Sequence, residues 1–119
     1  IRAINFNEAD LITCFANDYG YDNWVSNALE FYGEEGDCVV LVSSSGNSMN
    51  MVQAAKSAKK LGMRVITFTG FEQSNKLKQL GEINLWVDSK AYNIVEMTHH
   101  IWILSIVDLI IGNAEYSAS

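Results

Sequence analysis

From Cys38 to Val42 the chain reads Cys-Val-Val-Leu-Val, an unbroken apolar run where a strand with one wet face would alternate. Such a run predicts a strand covered on both faces, as in a parallel sheet flanked by helices. Beyond it, Met51, Ala54, Ala55, Ala58 and Leu61 recur at helical spacing, with Lys56, Lys59 and Lys60 between them. This pattern predicts a helix over residues 49–61, ended by Gly62, which tolerates a left-handed C-cap. The alternation then repeats. Residues 63–69 read as a second apolar strand, 73–80 as a short helix burying Leu77 and Leu80, and 83–87 as a third, central strand. Strands alternating with helices imply right-handed crossovers and a parallel sheet.

The two ends of the chain carry different patterns. Ala3, Ile4 and Phe6 suggest a short strand over residues 2–6, and residues 8–13 a brief helical turn. Asn17-Asp18-Tyr19-Gly20 reads as a loop, followed by a helix carrying Trp24, Ala28, Leu29 and Phe31 and ending near Gly33. At the other end, residues 92–111 form a helix with almost no polar face, from Ile94 and Val95 to Ile110 and Ile111. A helix apolar all round must be covered on every side. One small sheet covers only one side, so this helix is expected to pack against its copy in another subunit.

Composition narrows the class. With 119 residues, 49% of them hydrophobic, the chain is expected to be one ordinary soluble domain with a buried core. Eight basic against fourteen acidic residues give a net charge of −6, which argues against a non-specific nucleic-acid surface. Cys14 falls in an expected helix and Cys38 in an expected buried strand, so free thiols in a reducing cytoplasm are favoured over a disulfide. No apolar run is read as spanning a membrane without polar interruption, and no secretory signal is seen. Ile1 is not an initiator methionine, and the strand at 2–6 arrives without a partner. The sequence is therefore expected to lack its true beginning.

The turn between the first strand and its helix, Ser43-Ser44-Ser45-Gly46-Asn47-Ser48, carries the chemistry. Unpaired N–H groups and the positive dipole end at a helix N-terminus favour an anion. Ser43, Ser44, Ser45 and Ser48 add hydroxyls, and Gly46 allows close approach to the backbone. A phosphate ester suits such a cradle. The same residues also fit a plain turn in which Asn47 or Ser48 caps the helix. It is neither a Walker loop nor a dinucleotide fingerprint, because the Gly-Lys-Ser/Thr and Gly-x-Gly-x-x-Gly spacings are absent.

This loop, followed by Gly62-Met63-Arg64-Val65-Ile66-Thr67-Phe68-Thr69-Gly70, resembles the sugar-isomerase (SIS) domain, and within it the phosphoheptose isomerases. Upstream, Ala16-Asn17-Asp18-Tyr19-Gly20-Tyr21-Asp22 is similar to a matching segment of those proteins. The resemblance implies a three-layer α/β fold, SIS or flavodoxin-like, forming a single SIS domain over residues 1–119 without its N-terminal helix and first strand. It implies a phosphorylated sugar as ligand, with the serines on the phosphate and Asn17 and Asp18 on sugar hydroxyls. The implied assembly is a homotetramer with active sites shared between chains. The implied activity is aldose–ketose isomerisation of sedoheptulose 7-phosphate, in heptose synthesis for a bacterial surface polysaccharide.

Glu96, His99 and His100 form the one acid–base cluster of the sequence. Spacings of three and four place Glu96 on one helix face with either imidazole. A carboxylate and an imidazole can serve an enediolate reaction, or equally form a structural pair between subunits. By resemblance, Glu96 takes the place of a substrate- and metal-contacting Gln/Glu and His99 that of a histidine one turn on. The resemblance also allows zinc, although no metal ligands are assigned. Two departures stand out. Leu104 and Ser105 occupy the place of the family's catalytic histidine, and its Gly-Asn-Gly-Gly-Ser segment and catalytic glutamate lie upstream of this sequence. An alternative function is therefore a non-catalytic phosphosugar-binding module, acting as a regulator or interaction scaffold.

Overall fold

β-Branched and apolar residues build β1 (Cys38–Ser43), β2 (Arg64–Thr69) and β3 (Ile83–Trp86), which pair in parallel in the order β1-β2-β3. The computed structural model describes residues 2–115. Around the sheet lie α1 (Ala9–Tyr19), α2 (Trp24–Tyr32), α3 (Met49–Lys60) and α4 (Tyr92–Ile111), with single 3₁₀ turns at Tyr21–Asn23 and Lys78–Leu80. The register pairs Val42 with Phe68 and Ser43 with Thr69, so the strands end level beneath the serine loop.

One face of the sheet holds the core. Val39 and Leu41 of β1 and Val65 of β2 pack with Ala54, Ala55 and Ala58 of α3, and behind these with Trp24, Val25 and Leu29 of α2. Three alanines on one helix face let α3 lie close to the sheet, and all three are fully buried. Gly62 takes the left-handed conformation expected of it, at φ +76°.

The opposite face corrects one expectation. Residues 38–43 alternate exposed and buried, with Val40 51% and Val42 44% accessible, although all but the last are apolar. The strand is not covered on both faces within one chain, because α4 lies over the sheet only through Val95 and His99. Cys38 is accordingly exposed, and both it and Cys14 are free. Most of α4 stands clear: Met97, Ile101, Leu104, Leu109 and Ile110 are all exposed. By length and composition α4 is also apolar enough to cross a membrane, its apolar run interrupted by Glu96, His99, His100 and Asp108.

Other expectations shift with tertiary context. Residues 2–8 form no strand; Phe6 instead packs on the core and against Tyr32, with ring centroids 5.5 Å apart. The brief turn at 8–13 extends into the full helix α1, which takes in Asn17 and Asp18. The helix expected over 73–80 is reduced to the 3₁₀ turn Lys78–Leu80, and Asn75 turns its buried side chain onto Thr69, Gly70 and Glu72 instead. β3 is an edge strand of the described sheet rather than a central one.

Gly70, at the end of β2, sits where α4 crosses. A Cβ there would lie 2.7 Å from both methyl groups of Val95 and 3.1 Å from the Ser44 carbonyl oxygen. Overpacking of this kind costs about 1–3 kcal/mol. Gly70→Ala should therefore lower the thermal unfolding midpoint by several degrees, measured by circular dichroism. An unchanged midpoint would show that α4 is not seated on Gly70.

Candidate functional site

The β1–α3 turn delivers its hydroxyls to the carboxyl ends of the strands, where ligands bind in open parallel sheets. A cavity of about 230 Å³ opens there, lined by Val42, Ser43, Ser44, Ser45, Ser48, Asn50, Met51 and Tyr92. Each serine of the predicted cradle lines it. Ser48 is the N-cap of α3, yet its side chain makes no capping bond. The capping role read as an alternative is thus not taken up, and the first-turn N–H groups at Met49 and Asn50 keep their capacity for an acceptor.

The serines divide by what their hydrogens do. Ser43 is buried; its hydroxyl donates to Ser48 Oγ at 3.3 Å and accepts from the Gly46 N–H at 3.2 Å. Ser44 donates to Glu96 Oε1 at 3.2 Å. Ser45 accepts from the Asn47 N–H at 3.2 Å, and Ser48 accepts from Ser43, so each keeps its own O–H for a ligand. Ser45 and Ser48 are the ready donors. Ser43 shapes the turn, and Ser44 links it to α4.

No lysine or arginine lines the cavity. An anion there would be held by hydroxyls, amides and the dipole of α3, the dipole contributing about 0.3–1 kcal/mol. The Glu96 carboxylate beside Ser44 would repel it, which favours a position toward Ser45, Ser48 and the helix.

Glu96 is thus brought to the loop, while His99 is not brought with it. His99 is 2% exposed, its Nε2 lies 3.0 Å from the Thr69 carbonyl oxygen, and its ring meets Phe68 edge-on at 5.7 Å. As donor to that carbonyl, His99 holds α4 to the end of β2, and it is absent from the cavity lining. The expectation of a shared acid–base site for Glu96 and His99 is corrected within one chain, because a shift of three residues turns His99 toward the sheet and leaves Glu96 exposed. His100, the other candidate, faces solvent.

Asn17 and Asp18 stand in the last turn of α1 rather than in a loop, exposed, with the Asn17 amide donating to Asp18 Oδ1 at 3.0 Å. They cap no helix and do not line the cavity. As for zinc, no three His, Cys, Asp or Glu side chains converge on a metal site among the described residues. Glu96 reaches the loop alone and His99 Nε2 is engaged, so one chain's donors do not fit that ion.

Sequence reasoning missed Asn50, Tyr92 and Asn75. Asn50 is buried in the first turn of α3, and Tyr92 opens α4 beside Phe71, with ring centroids 4.9 Å apart. Both follow apolar or small neighbours and carry no motif. Asn75 lies beneath the loop in a stretch whose leucine spacing suggested a helix.

The model of the SIS domain matches residues 2–70, from the N-terminal segment through the serine loop to the end of β2. The phosphoheptose isomerase of Buchnera aphidicola subsp. Acyrthosiphon pisum is 37% identical over 109 residues, covering 92% of this chain and 56% of that protein. A probable phosphoheptose isomerase of Thermoplasma acidophilum is 42% identical over 88 residues, 74% of this chain and 48% of its own length. Among solved structures, the phosphoheptose isomerase of Neisseria gonorrhoeae superposes with a TM-score of 0.84 at 29% identity, over 89% of this chain and 59% of that one. That of Francisella tularensis gives 0.81 at 26%, over 87% and 56%. The chain thus spans about half the length of the relatives it matches. With the serine loop and the parallel β1–β2 pair falling within the residues of the domain match, this chain belongs to the SIS-domain family.

Proposed function

We propose that this chain carries the phosphosugar site of a phosphoheptose isomerase, acting on sedoheptulose 7-phosphate or a closely similar sugar phosphate. The observation that carries the reading is the cavity at the end of β1, where Ser45, Ser48 and the first turn of α3 offer free donors and the lining Ser44 donates to Glu96. The names of the relatives support it.

Isomerising a ketose to an aldose moves a proton from the hydroxyl-bearing carbon to the neighbouring carbonyl carbon, and a second proton between the two oxygens. In this reading the phosphate anchors one end of the sugar at the serine loop. Glu96 is the base that removes the carbon-bound proton and returns it to the adjacent carbon. Ser44, which already donates to Glu96, keeps that carboxylate aimed at the loop. His99 contributes by position, holding α4 against β2 through Thr69. Asn17 and Asp18 remain exposed and able to meet sugar hydroxyls in an assembly whose subunits share sites.

That assembly is a homotetramer in our reading, built on the uncovered sides of α4 and the open sheet face. Burying each large apolar side chain left exposed there contributes about 1.5–3 kcal/mol. Glu96, His99, His100 and Asp108 within α4 favour protein rather than lipid as its cover. We assign the activity to the cytoplasm, where exposed Cys14 and Cys38 stay reduced, and to supply of heptose for a surface polysaccharide.

A coupled assay with sedoheptulose 7-phosphate tests the activity. Turnover is expected, and Glu96→Gln should lower kcat about 10²–10⁴-fold with little change in KM. Binding without turnover would instead make this a phosphosugar-binding module, and no binding would overturn the site itself. Light scattering at micromolar concentration should return the mass of four chains. A monomer would contradict the proposed cover for α4.

A further inference from the structure

Asn75 joins the serine loop to a segment that the phosphate reading does not otherwise use. The residue is 2% exposed. Its amide nitrogen donates to Glu72 O at 2.9 Å, Thr69 Oγ1 at 3.2 Å and Gly70 O at 3.3 Å, and its Oδ1 accepts from the Lys78 N–H at 2.9 Å. Every polar capacity of the side chain is turned inward on residues 69–78. The same Oδ1 lies against the Cα of Gly46, which takes φ +65°; a Cβ at Gly46 would overlap the Asn75 amide outright.

Two further bonds tie the segments together. The Leu77 N–H donates to the Gly46 carbonyl at 2.9 Å, and the Lys76 N–H to Asn47 Oδ1 at 3.2 Å. The turn that holds Ser45 and Ser48 is therefore seated on residues 75–77. A loop of small hydroxyl residues has little packing of its own to fix it, and binding to an unfixed loop loses affinity to the entropy of ordering it.

We propose that Asn75 is a positioning residue for the anion site: it sets the conformation of the Ser44–Gly46–Ser48 turn and thereby its affinity for a phosphate ester, without touching the ligand. This rests on the phosphate reading above. It places the control of phosphate affinity in the segment after β2 rather than in the serine loop itself, and it explains why that segment abandons the helix its leucines favour.

Two readouts on the intact chain test it, calorimetric titration with sedoheptulose 7-phosphate and the backbone amide spectrum of residues 44–48, both well below each variant's unfolding midpoint. Asn75→Ala should weaken binding about tenfold and move the Gly46 and Ser48 amide signals. Gly46→Ala should do the same, and the two effects should add to less than their sum in the double variant, because both disturb one contact. A merely structural Asn75 would lower the unfolding midpoint while leaving both readouts at wild type, and that result overturns the proposal. If wild-type protein binds no phosphate ester, the phosphate reading falls, and unmoved amide signals in Asn75→Ala would then overturn the positioning role separately. Should Asn75→Ala not fold, Asn75→Ser, which keeps a short polar group but is too short to keep the Gly46 contact and all four hydrogen bonds, decides by the same two readouts: a shift with weaker binding supports the proposal and no change refutes it.

Discussion

The close seating of α3 on the sheet, through Ala54, Ala55 and Ala58, is the constraint from which the site follows. Because these side chains are small, the helix axis is drawn near the strands, and its first turn lands at the end of β1 rather than above it. The amides of that turn then point into the space beyond Ser43, where no side chain among the described residues answers them. A larger residue at any of the three positions would lift the helix and separate its N-terminus from the serine hydroxyls. The proposed anion site is in this sense a packing product, made of backbone and hydroxyl donors rather than of basic side chains. Its charge complementarity would come from the helix end, with Glu96 set against a further negative charge.

α4 plays two parts that divide along its length. Its first half is fixed to the sheet by Val95 against Gly70 and by His99 on the Thr69 carbonyl, which carries Glu96 to the rim of the loop. Its second half makes no comparable contact among the described residues and keeps its leucines and isoleucines exposed. One helix thus joins the candidate chemistry to a surface suited to assembly.

What the sequence made legible was local. β1, α3 and α4 stand where their runs and spacings put them, since each signal is carried by residues within the element itself. The position of the serine loop at the start of α3 was legible because its hydroxyls sit next to a helix start in the chain. What was hidden depended on distant partners. Asn75 gives up a helix for bonds to Thr69, Gly70 and Glu72, and no periodicity records such a choice. His99 and Glu96 looked equivalent on a helical wheel, and only the position of β2 decides that one is buried and the other is not. The alternation of exposure along β1 was equally invisible, because an apolar strand reads the same whether its second face is covered by its own chain or by something else.

The central claim is that the donors left open at Ser45, Ser48 and the first turn of α3 hold a phosphate ester. A crystal of the protein soaked with sedoheptulose 7-phosphate tests this most directly. The account predicts phosphate density within hydrogen-bonding distance of the Ser45 and Ser48 hydroxyls and the Met49 and Asn50 amides, with the sugar extending toward Glu96. Phosphate bound elsewhere on the chain, or a serine loop left filled only by solvent at saturating ligand, would contradict it.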